Sequence, residues 1–66
     1  MEYTNSQIGS MIDEHIHSKR DREIMKRRMI DGICYEPLAA EFDLSTVQVK
    51  RIVKREQTRI LKMIQN

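Results

Sequence analysis

The sequence predicts a small all-α domain of four helices, the last of them long. Only two glycines and one proline occur in 66 residues, so few positions can break a helix. The composition is rich in Ile, Met, Lys, Arg and Glu, most of which favour helices. Apolar residues recur every three to four positions in much of the chain, which is the helical period. A chain of this length forms one domain, residues 1–66, that buries only about 60% of its unfolded surface.

The first helix is predicted over residues 6–17. Asn5 or Ser6 is the expected N-cap, because either side chain can accept a hydrogen bond from the first turn. Four apolar residues follow the spacing i, i+3, i+4 and i+8, which places them on one helical face. They are Ile8, Met11, Ile12 and Ile16.

The second helix is predicted over residues 20–31, with Asp21 at its start. Its apolar residues are Ile24, Met25, Met29 and Ile30. Gly32 follows and suits the left-handed conformation that closes a helix. Ile33 and Cys34 then form a short connection, in which Cys34 is expected to be a small buried apolar residue because no His or basic residue adjoins it.

The third helix is predicted over residues 35–42 and is short. Pro37 is tolerated only in a first turn, which places the helix start. Its expected buried face consists of Leu38, Ala39 and Phe42. Asp43 and Leu44 leave room only for a tight turn before the next helix.

The fourth helix is predicted over residues 46–64. Ser45 and Gln48 form the S-x-x-Q pattern of a capping box at its start. No Gly or Pro interrupts the segment. At about 1.5 Å per residue, this helix spans almost 30 Å.

Positive charge is concentrated in the last third of the chain. Residues 1–43 carry six Lys/Arg and nine Asp/Glu, whereas residues 44–66 carry six Lys/Arg and one acid, Glu56. A helical wheel predicts a core stripe of Val49, Ile52, Val53, Ile60, Met63 and Ile64. The opposite face collects Val47, Lys50, Arg51, Lys54, Arg55, Thr58 and Lys62. A solvated basic helix is one interpretation, but Glu56 falls on the core side, and an outward face without acids suits phosphates.

Residues 35–54, YEPLAAEFDLSTVQVKRIVK, fit a helix-turn-helix. A small residue, Ala39, stands where the two helices touch, and Asp43 stands at the turn. The apolar anchors of the second helix are Leu44, Val49 and Ile52. In this motif the second helix lies in the major groove of DNA, with its N-terminal residues on the base edges.

Residues 22–61 resemble region 4 of the sigma-70 type RNA polymerase sigma factors, and the sigma-region-4-like small regulators of phages and mobile elements of Gram-positive bacteria. The shared features are an R-E-I-M helix opening, D-G followed by Y-E, and L-A-x-E-F-x-L-S ahead of V-K-R-I-V. The resemblance implies a helix-turn-helix fold and DNA binding. The chain lacks the parts with which a sigma factor melts a promoter, so it is not expected to be a complete sigma factor.

Three positions depart from the family pattern. The turn residue, often Gly in the family, is Asp43, which tolerates the left-handed conformation better than most residues. Arg27 replaces an apolar residue and Glu56 replaces a small one, both at core-side positions. One hypothesis is that Arg27 and Glu56 form an ion pair between the second and fourth helices.

The resemblance assigns base reading to the start of the fourth helix. The residues concerned are Thr46, Val47, Gln48, Lys50 and Arg51. Gln pairs bidentately with adenine, Arg or Lys pairs with guanine, and Val47 or the Thr46 methyl can contact the methyl group of thymine. For Gln48 the alternative role is the capping box alone.

Phosphate contacts are expected further along the same helix. Lys54 and Arg55 are the main candidates, Thr58 is a further one, and Ser45 can hold a phosphate as well as cap the helix. A second basic group comprises Lys19, Arg20, Arg22, Lys26 and Arg28. Acids are interspersed in that group, so we expect a mixed, solvated surface, with a DNA-backbone contact as the alternative.

The sequence argues against other chemistry. His15 and His17 lie 200° apart on a helix and cannot share a metal ion, and Cys34 has no second cysteine with which to pair. No acid–base pair, nucleophile set or Gly-rich phosphate loop is visible, so neither enzymatic activity nor a cofactor is expected. No apolar run approaches the roughly 20 residues of a membrane span, and a cytoplasmic protein without a membrane partner is expected.

Three functions remain open. The first is a sequence-specific regulator of transcription in a phage or mobile element, which binds double-stranded DNA and contacts RNA polymerase in one version. The second is an accessory protein for DNA packaging or recombination. The third is a module that binds RNA polymerase or a sigma factor without DNA. The oligomeric state is open between a monomer and a homodimer. The homodimer is favoured because one short basic helix binds DNA weakly. Its seam would use Leu61 with Met63 and Ile64, or the first helix.

Overall fold

Four helices make up the chain in the computed structural model, which describes residues 3–64 and their side chains as far as Lys62. They are α1 (Asn5–His15), α2 (Lys19–Met29), α3 (Tyr35–Glu41) and α4 (Thr46–Ile64). No strand occurs within the described range, and the predicted all-α fold class is confirmed. None of these helices combines the length and apolar composition needed to cross a membrane, as far as residues 3–64 are concerned.

α1 begins one residue earlier than predicted because Thr4, rather than Asn5 or Ser6, is its N-cap. The Thr4 hydroxyl accepts a hydrogen bond from Gln7 N at 3.1 Å, and the Gln7 side chain accepts one from Thr4 N at 2.8 Å. This reciprocal capping box satisfies two backbone donors at once, which neither predicted cap could do. The helix ends at His15, two residues before the predicted end.

α2 also starts earlier than predicted. Ser18 is the N-cap, and its hydroxyl accepts a hydrogen bond from Asp21 N at 3.4 Å. Asp21 therefore lies within the first turn instead of opening the helix. Gly32 has φ +70°, as its predicted left-handed role requires, and Ile33 N donates to Arg27 O at 3.2 Å to close the helix end.

The connection between α3 and α4 is a tight turn, as predicted. Asp43 has φ +56°, which confirms its left-handed conformation. Leu44 N donates to Ala39 O at 2.9 Å, and Asp43 N donates to Ala40 O at 3.3 Å. These two bonds form a Schellman motif, which satisfies the last carbonyls of α3. α3 ends at Glu41, one residue before the predicted end.

All four helices contribute to one apolar core, and α4 packs against each of the other three. The buried apolar residues are Ile12, Ile16, Ile24, Met25, Leu38, Ala39, Val49, Ile52, Val53 and Ile60. The predicted core stripe of α4 is confirmed at its four members in this set, while the side chains of Met63 and Ile64 lie outside the described residues. Since the core fixes one face of α4, the opposite face is turned to solvent.

The hypothesised ion pair between Arg27 and Glu56 is wrong. Arg27 Nη2 instead lies 2.8 Å from Glu41 Oε2, and Arg27 Nη1 lies 3.9 Å from Asp31 Oδ2. Glu56 is buried, as its core-side position predicts, but its partners are arginines of its own helix. The physical reason is proximity. Arg27 reaches Glu41 on α3 and Asp31 just after α2 while its own side chain stays partly exposed to solvent.

Cys34 is exposed, so the expectation of a buried cysteine is also wrong. It occupies the N-cap position of α3 in an extended conformation and makes no side-chain cap hydrogen bond. Its neighbours Ile33 and Tyr35 pack against the core instead. Successive residues of an extended segment point to opposite sides, which turns Cys34 outward.

Candidate nucleic-acid interface

The start of α4 is held by the predicted capping box. Gln48 N donates to the Ser45 hydroxyl at 3.1 Å, and Ser45 N donates to Gln48 Oε1 at 2.9 Å. The side chain of Gln48 is therefore engaged at its oxygen. Bidentate pairing with adenine uses both the amide oxygen and the amide nitrogen, so Gln48 could read adenine in this way only by releasing the cap.

Val47 is an apolar residue on the solvent face of α4. It is 60% exposed, whereas Val49, two positions later, is fully buried. Packing inside this domain does not account for an apolar side chain at position 47. An exposed valine at the start of a helix can make apolar contact with a thymine methyl group.

Three cations along the outward face of α4 are exposed and, among residues 3–62, form no ion pair. They are Arg51, Lys54 and Lys62. Lys50 is exposed as well, and its ammonium group lies 5.6 Å from the centre of the Tyr35 ring. These cations are available to an anionic partner without the prior loss of an intramolecular ion pair.

Arg55, a predicted phosphate contact, already forms two ion pairs within the domain. Its Nη2 lies 3.0 Å from Asp21 Oδ2 on α2, and its Nε lies 3.1 Å from Glu56 Oε1. The side chain is nevertheless 53% exposed. A guanidinium has five N–H donors, so three remain for another acceptor.

Two buried carboxylates lie beneath the basic face. The side chains of Asp21 and Glu56 are 6% and 2% exposed. Glu56 Oε2 lies 3.3 Å from Arg59 Nη1, but this contact lacks hydrogen-bond geometry, and no other described residue hydrogen-bonds that oxygen. Desolvated carboxylates are costly unless cations compensate them. Arg20 and Arg55 compensate Asp21, while Arg55 and Arg59 compensate Glu56.

Sequence reasoning missed Asp21 as part of this site. Asp21 and Arg55 are 34 positions apart and on different helices, so no local pattern connects them. Only the packing of α2 on α4 brings the two side chains together.

Thr58 is a weaker candidate for phosphate binding than the sequence suggests. Its hydroxyl donates a hydrogen bond to Lys54 O at 2.9 Å, one turn earlier in α4. The hydroxyl proton is thus already used, and a phosphate needs a donor.

Tyr35 is a second residue that sequence reasoning missed. The guanidinium of Arg28 lies 4.5 Å from the centre of its ring, and the Lys50 ammonium approaches the same ring. Cations over an aromatic face are attracted by its quadrupole. Tyr35 therefore links the end of α2 to the basic start of α4.

The basic group of α2 is largely engaged in intramolecular contacts. Arg22 Nη1 donates to the carbonyls of Ile16 and His17 at 3.0 and 3.1 Å. Lys26 Nζ lies 2.8 Å from Asp13 Oδ1 on α1. These contacts fit the predicted mixed surface and leave fewer cations available than the sequence count suggests.

Within residues 3–62, no group of three or more His, Cys, Asp or Glu side chains could hold a metal ion. Two shallow concave surfaces of this part of the chain are lined by charged and polar side chains. One of them runs along α4 beside Arg51, Lys54, Arg55, Thr58, Arg59 and Lys62. The chemistry that these side chains offer is the binding of anions.

Comparison with known proteins adds no relative to these observations. No protein-family model, no curated protein and no solved structure matches the chain.

Proposed function

We propose that this chain is a sequence-specific double-stranded DNA-binding protein that regulates transcription in a phage or mobile element. The observation that carries the proposal is the division of α4 into a buried face and an outward face. The outward face presents the exposed apolar side chain of Val47. It also presents Arg51 and Lys54, which form no ion pair among the described residues. A helix of this kind fits the recognition element of a helix-turn-helix.

The two ends of the binding face have different roles in this proposal. Lys50, Arg51 and Val47 lie in the first two turns and contact base edges, while Lys54 contacts a phosphate. Thr46 is half-buried, and its methyl group contacts the bases only at the edge of the protein–DNA interface. Ser45 and Gln48 hold the first turn through the capping box, so their main contribution is to keep the reading residues in place.

Arg55 binds phosphate through the donors that its two carboxylate contacts leave unused. This assignment keeps Arg55 in the interface but makes its orientation depend on α2. The function needs no catalytic group and no cofactor.

The proposal is tested by binding to a random-sequence duplex and by selection from a random pool, each at two salt concentrations. We expect affinity that falls as salt rises, with enrichment of one motif. Arg51→Ala should weaken binding to the selected site by about 1–3 kcal/mol and relax the preference at one base position.

The position of the selected motif separates the remaining functions. A site near promoters supports regulation of transcription, whereas a site at packaging or recombination ends supports an accessory role there. An absence of duplex binding at low salt would refute DNA binding and favour RNA polymerase or a sigma factor as the partner.

A further inference from the structure

The basic face of α4 continues beyond the residues used in the proposed function. Arg59 and Lys62 line the same shallow groove as Arg51 and Lys54. At about 1.5 Å per residue, Arg51 and Lys62 are separated by about 16 Å along the helix. The major groove of B-DNA is about 12 Å wide. If the first turns of α4 read bases across this groove, its last turns extend past the groove edge and over the sugar-phosphate backbone.

Three cations face outward in this second half of α4, and we call them the distal basic surface: Arg55, Arg59 and Lys62. Arg55 and Arg59 are each about half-exposed, whereas the acids that they contact, Asp21 and Glu56, are almost completely buried. An approaching phosphate therefore meets the guanidinium groups before it meets the carboxylates.

The buried acids also restrict the arginines before any ligand arrives. Arg55 is held at two of its nitrogens, Nε and Nη2, which orients the rest of the guanidinium away from the core. Arg59 Nη1 lies 3.3 Å from the same glutamate, a charge contact without hydrogen-bond geometry that restrains Arg59 less than Arg55. Side chains that are already ordered lose less conformational entropy when they bind.

We propose that the distal basic surface is a second phosphate-binding site, which contacts the DNA backbone beside the groove that the start of α4 enters. Asp21 and Glu56 are its positioning residues. This inference rests on the proposed function, which already assigns Arg55 to a phosphate, and it adds Arg59 and Lys62, which lie beyond the helix-turn-helix of residues 35–54.

Lys62 has an alternative role, because it lies in the last turn of α4, where a cation stabilises the helix dipole. A purely structural role would change the melting temperature without changing the salt dependence of DNA binding. The two roles are therefore separated by measuring both quantities.

The first test is Lys62→Gln, with binding to a random-sequence duplex measured by fluorescence anisotropy across a range of salt concentrations. The plot of log affinity against log salt has a negative slope. We expect the magnitude of this slope to decrease by about 0.9, the value of one lost phosphate contact. The ratio of affinities for selected and random duplexes should not change, because phosphate contacts carry no direct sequence information.

Lys26→Gln is the matched control. It removes the same charge from a lysine that lies 2.8 Å from Asp13 between α1 and α2. We expect its salt slope to equal that of the wild type. An equal fall in both variants would attribute the effect to net charge and overturn the second site.

The second test asks whether Asp21 positions Arg55. Positioning and a simple effect of net charge predict opposite changes in DNA affinity. Asp21→Asn removes a negative charge, so a surface that acts only through its net charge should bind DNA more tightly. If Asp21 orients Arg55, binding should instead weaken by roughly threefold to tenfold, of the order expected for one misplaced charged contact. Glu41→Gln removes the same charge beside Arg27 on α3 and should not weaken binding.

Arg59→Gln keeps the inference testable if Asp21→Asn does not fold, because it changes a side chain that is half-exposed. Its salt slope should also fall by about 0.9, with the helical content checked by circular dichroism. If the wild type binds duplex DNA but Lys62→Gln and Arg59→Gln keep its slope, the second site is refuted and the proposed function stands. If the wild type binds no duplex, both fail together.

Discussion

α2 and α4 carry similar numbers of cations but use them differently. In α2, Arg22 and Arg28 donate to backbone carbonyls, and Lys26 pairs with an acid of α1. In α4, Arg51 and Lys54 have no ion pair within the described part of the chain. The count of basic residues in a segment therefore does not identify an anion-binding surface. What identifies it is whether those residues are already engaged.

The same difference between engaged and unpaired cations occurs within α4 itself. Arg55 is anchored to two buried carboxylates, while Arg51, one turn earlier, is unpaired among the described residues. The same residue type thus contributes to folding at one position and remains available at the other. Substitutions that separate stability from DNA binding can test this division.

The largest effect on stability is expected from Arg55→Ala. It removes the shared cation of two buried carboxylates, Asp21 and Glu56, which then keep one weaker contact each, with Arg20 and Arg59. We expect the free energy of unfolding to fall by about 2–3 kcal/mol, less than for a fully buried pair because Arg55 is half-exposed. Urea denaturation measures the change. Arg51→Ala is the matched control and should stay within about 0.5 kcal/mol of the wild type. Similar losses in both variants would contradict the distinction.

A smaller loss, about 1–2 kcal/mol, is expected from Arg28→Ala. The substitution removes a hydrogen bond to Ile33 O at 3.2 Å and the contact with the Tyr35 ring. The salt slope of DNA binding should not change.

Lys54→Ala should behave in the opposite way, with unchanged stability and a salt slope whose magnitude is lower by about 0.9. A reduced slope in Arg28→Ala would place α2 at the interface.

The two capping boxes allow the next comparison. Thr4→Ala and Ser45→Ala remove equivalent hydroxyls from the starts of α1 and α4, and each should cost about 1 kcal/mol of stability. Only Ser45→Ala should weaken DNA binding, because its cap orders the turn that carries Val47. Thermal unfolding measures the stability loss. The affinities are then compared at a temperature where both variants are folded, and equal affinities would show that the first turn of α4 lies outside the interface.

The smallest effect is expected from Arg27→Leu. Its ion pairs with Glu41 and Asp31 are on the surface, where such pairs contribute little. We expect a change within about 0.5 kcal/mol by urea denaturation. A loss above about 2 kcal/mol would indicate that a buried group, such as Glu56, depends on Arg27 after all.

The features that the sequence predicted well are local ones. The left-handed residues Gly32 and Asp43, the capping box of Ser45 and Gln48, and the core stripe of α4 each depend on neighbours within one or two turns. The first helix start was missed although its signal, T-x-x-Q at residues 4–7, was present. Asn5 and Ser6 are also good caps, and only the reciprocal bond from Gln7 decides between them.

The features that could not be predicted depend on how helices pack. Asp21 reaches Arg55 only because α2 lies against α4, and Arg27 turns toward α3 instead of α4. The choice between several possible partners of a long charged side chain is set by interhelical distances, which no spacing in the sequence encodes. For this reason the sequence located the candidate binding face but did not distinguish its anchored arginines from its unpaired ones.

The turn between α3 and α4 has a consequence for how such a protein can change. Asp43 and Leu44 complete the Schellman motif, and Ser45 caps the next helix directly. Every residue of the connection has a backbone role, so an insertion or deletion there would change the angle between the helices. Val47 and Arg51 carry no such role. Under the proposed function, new binding preferences can therefore evolve by single substitutions at these two positions, while the geometry of the turn that presents them stays unchanged.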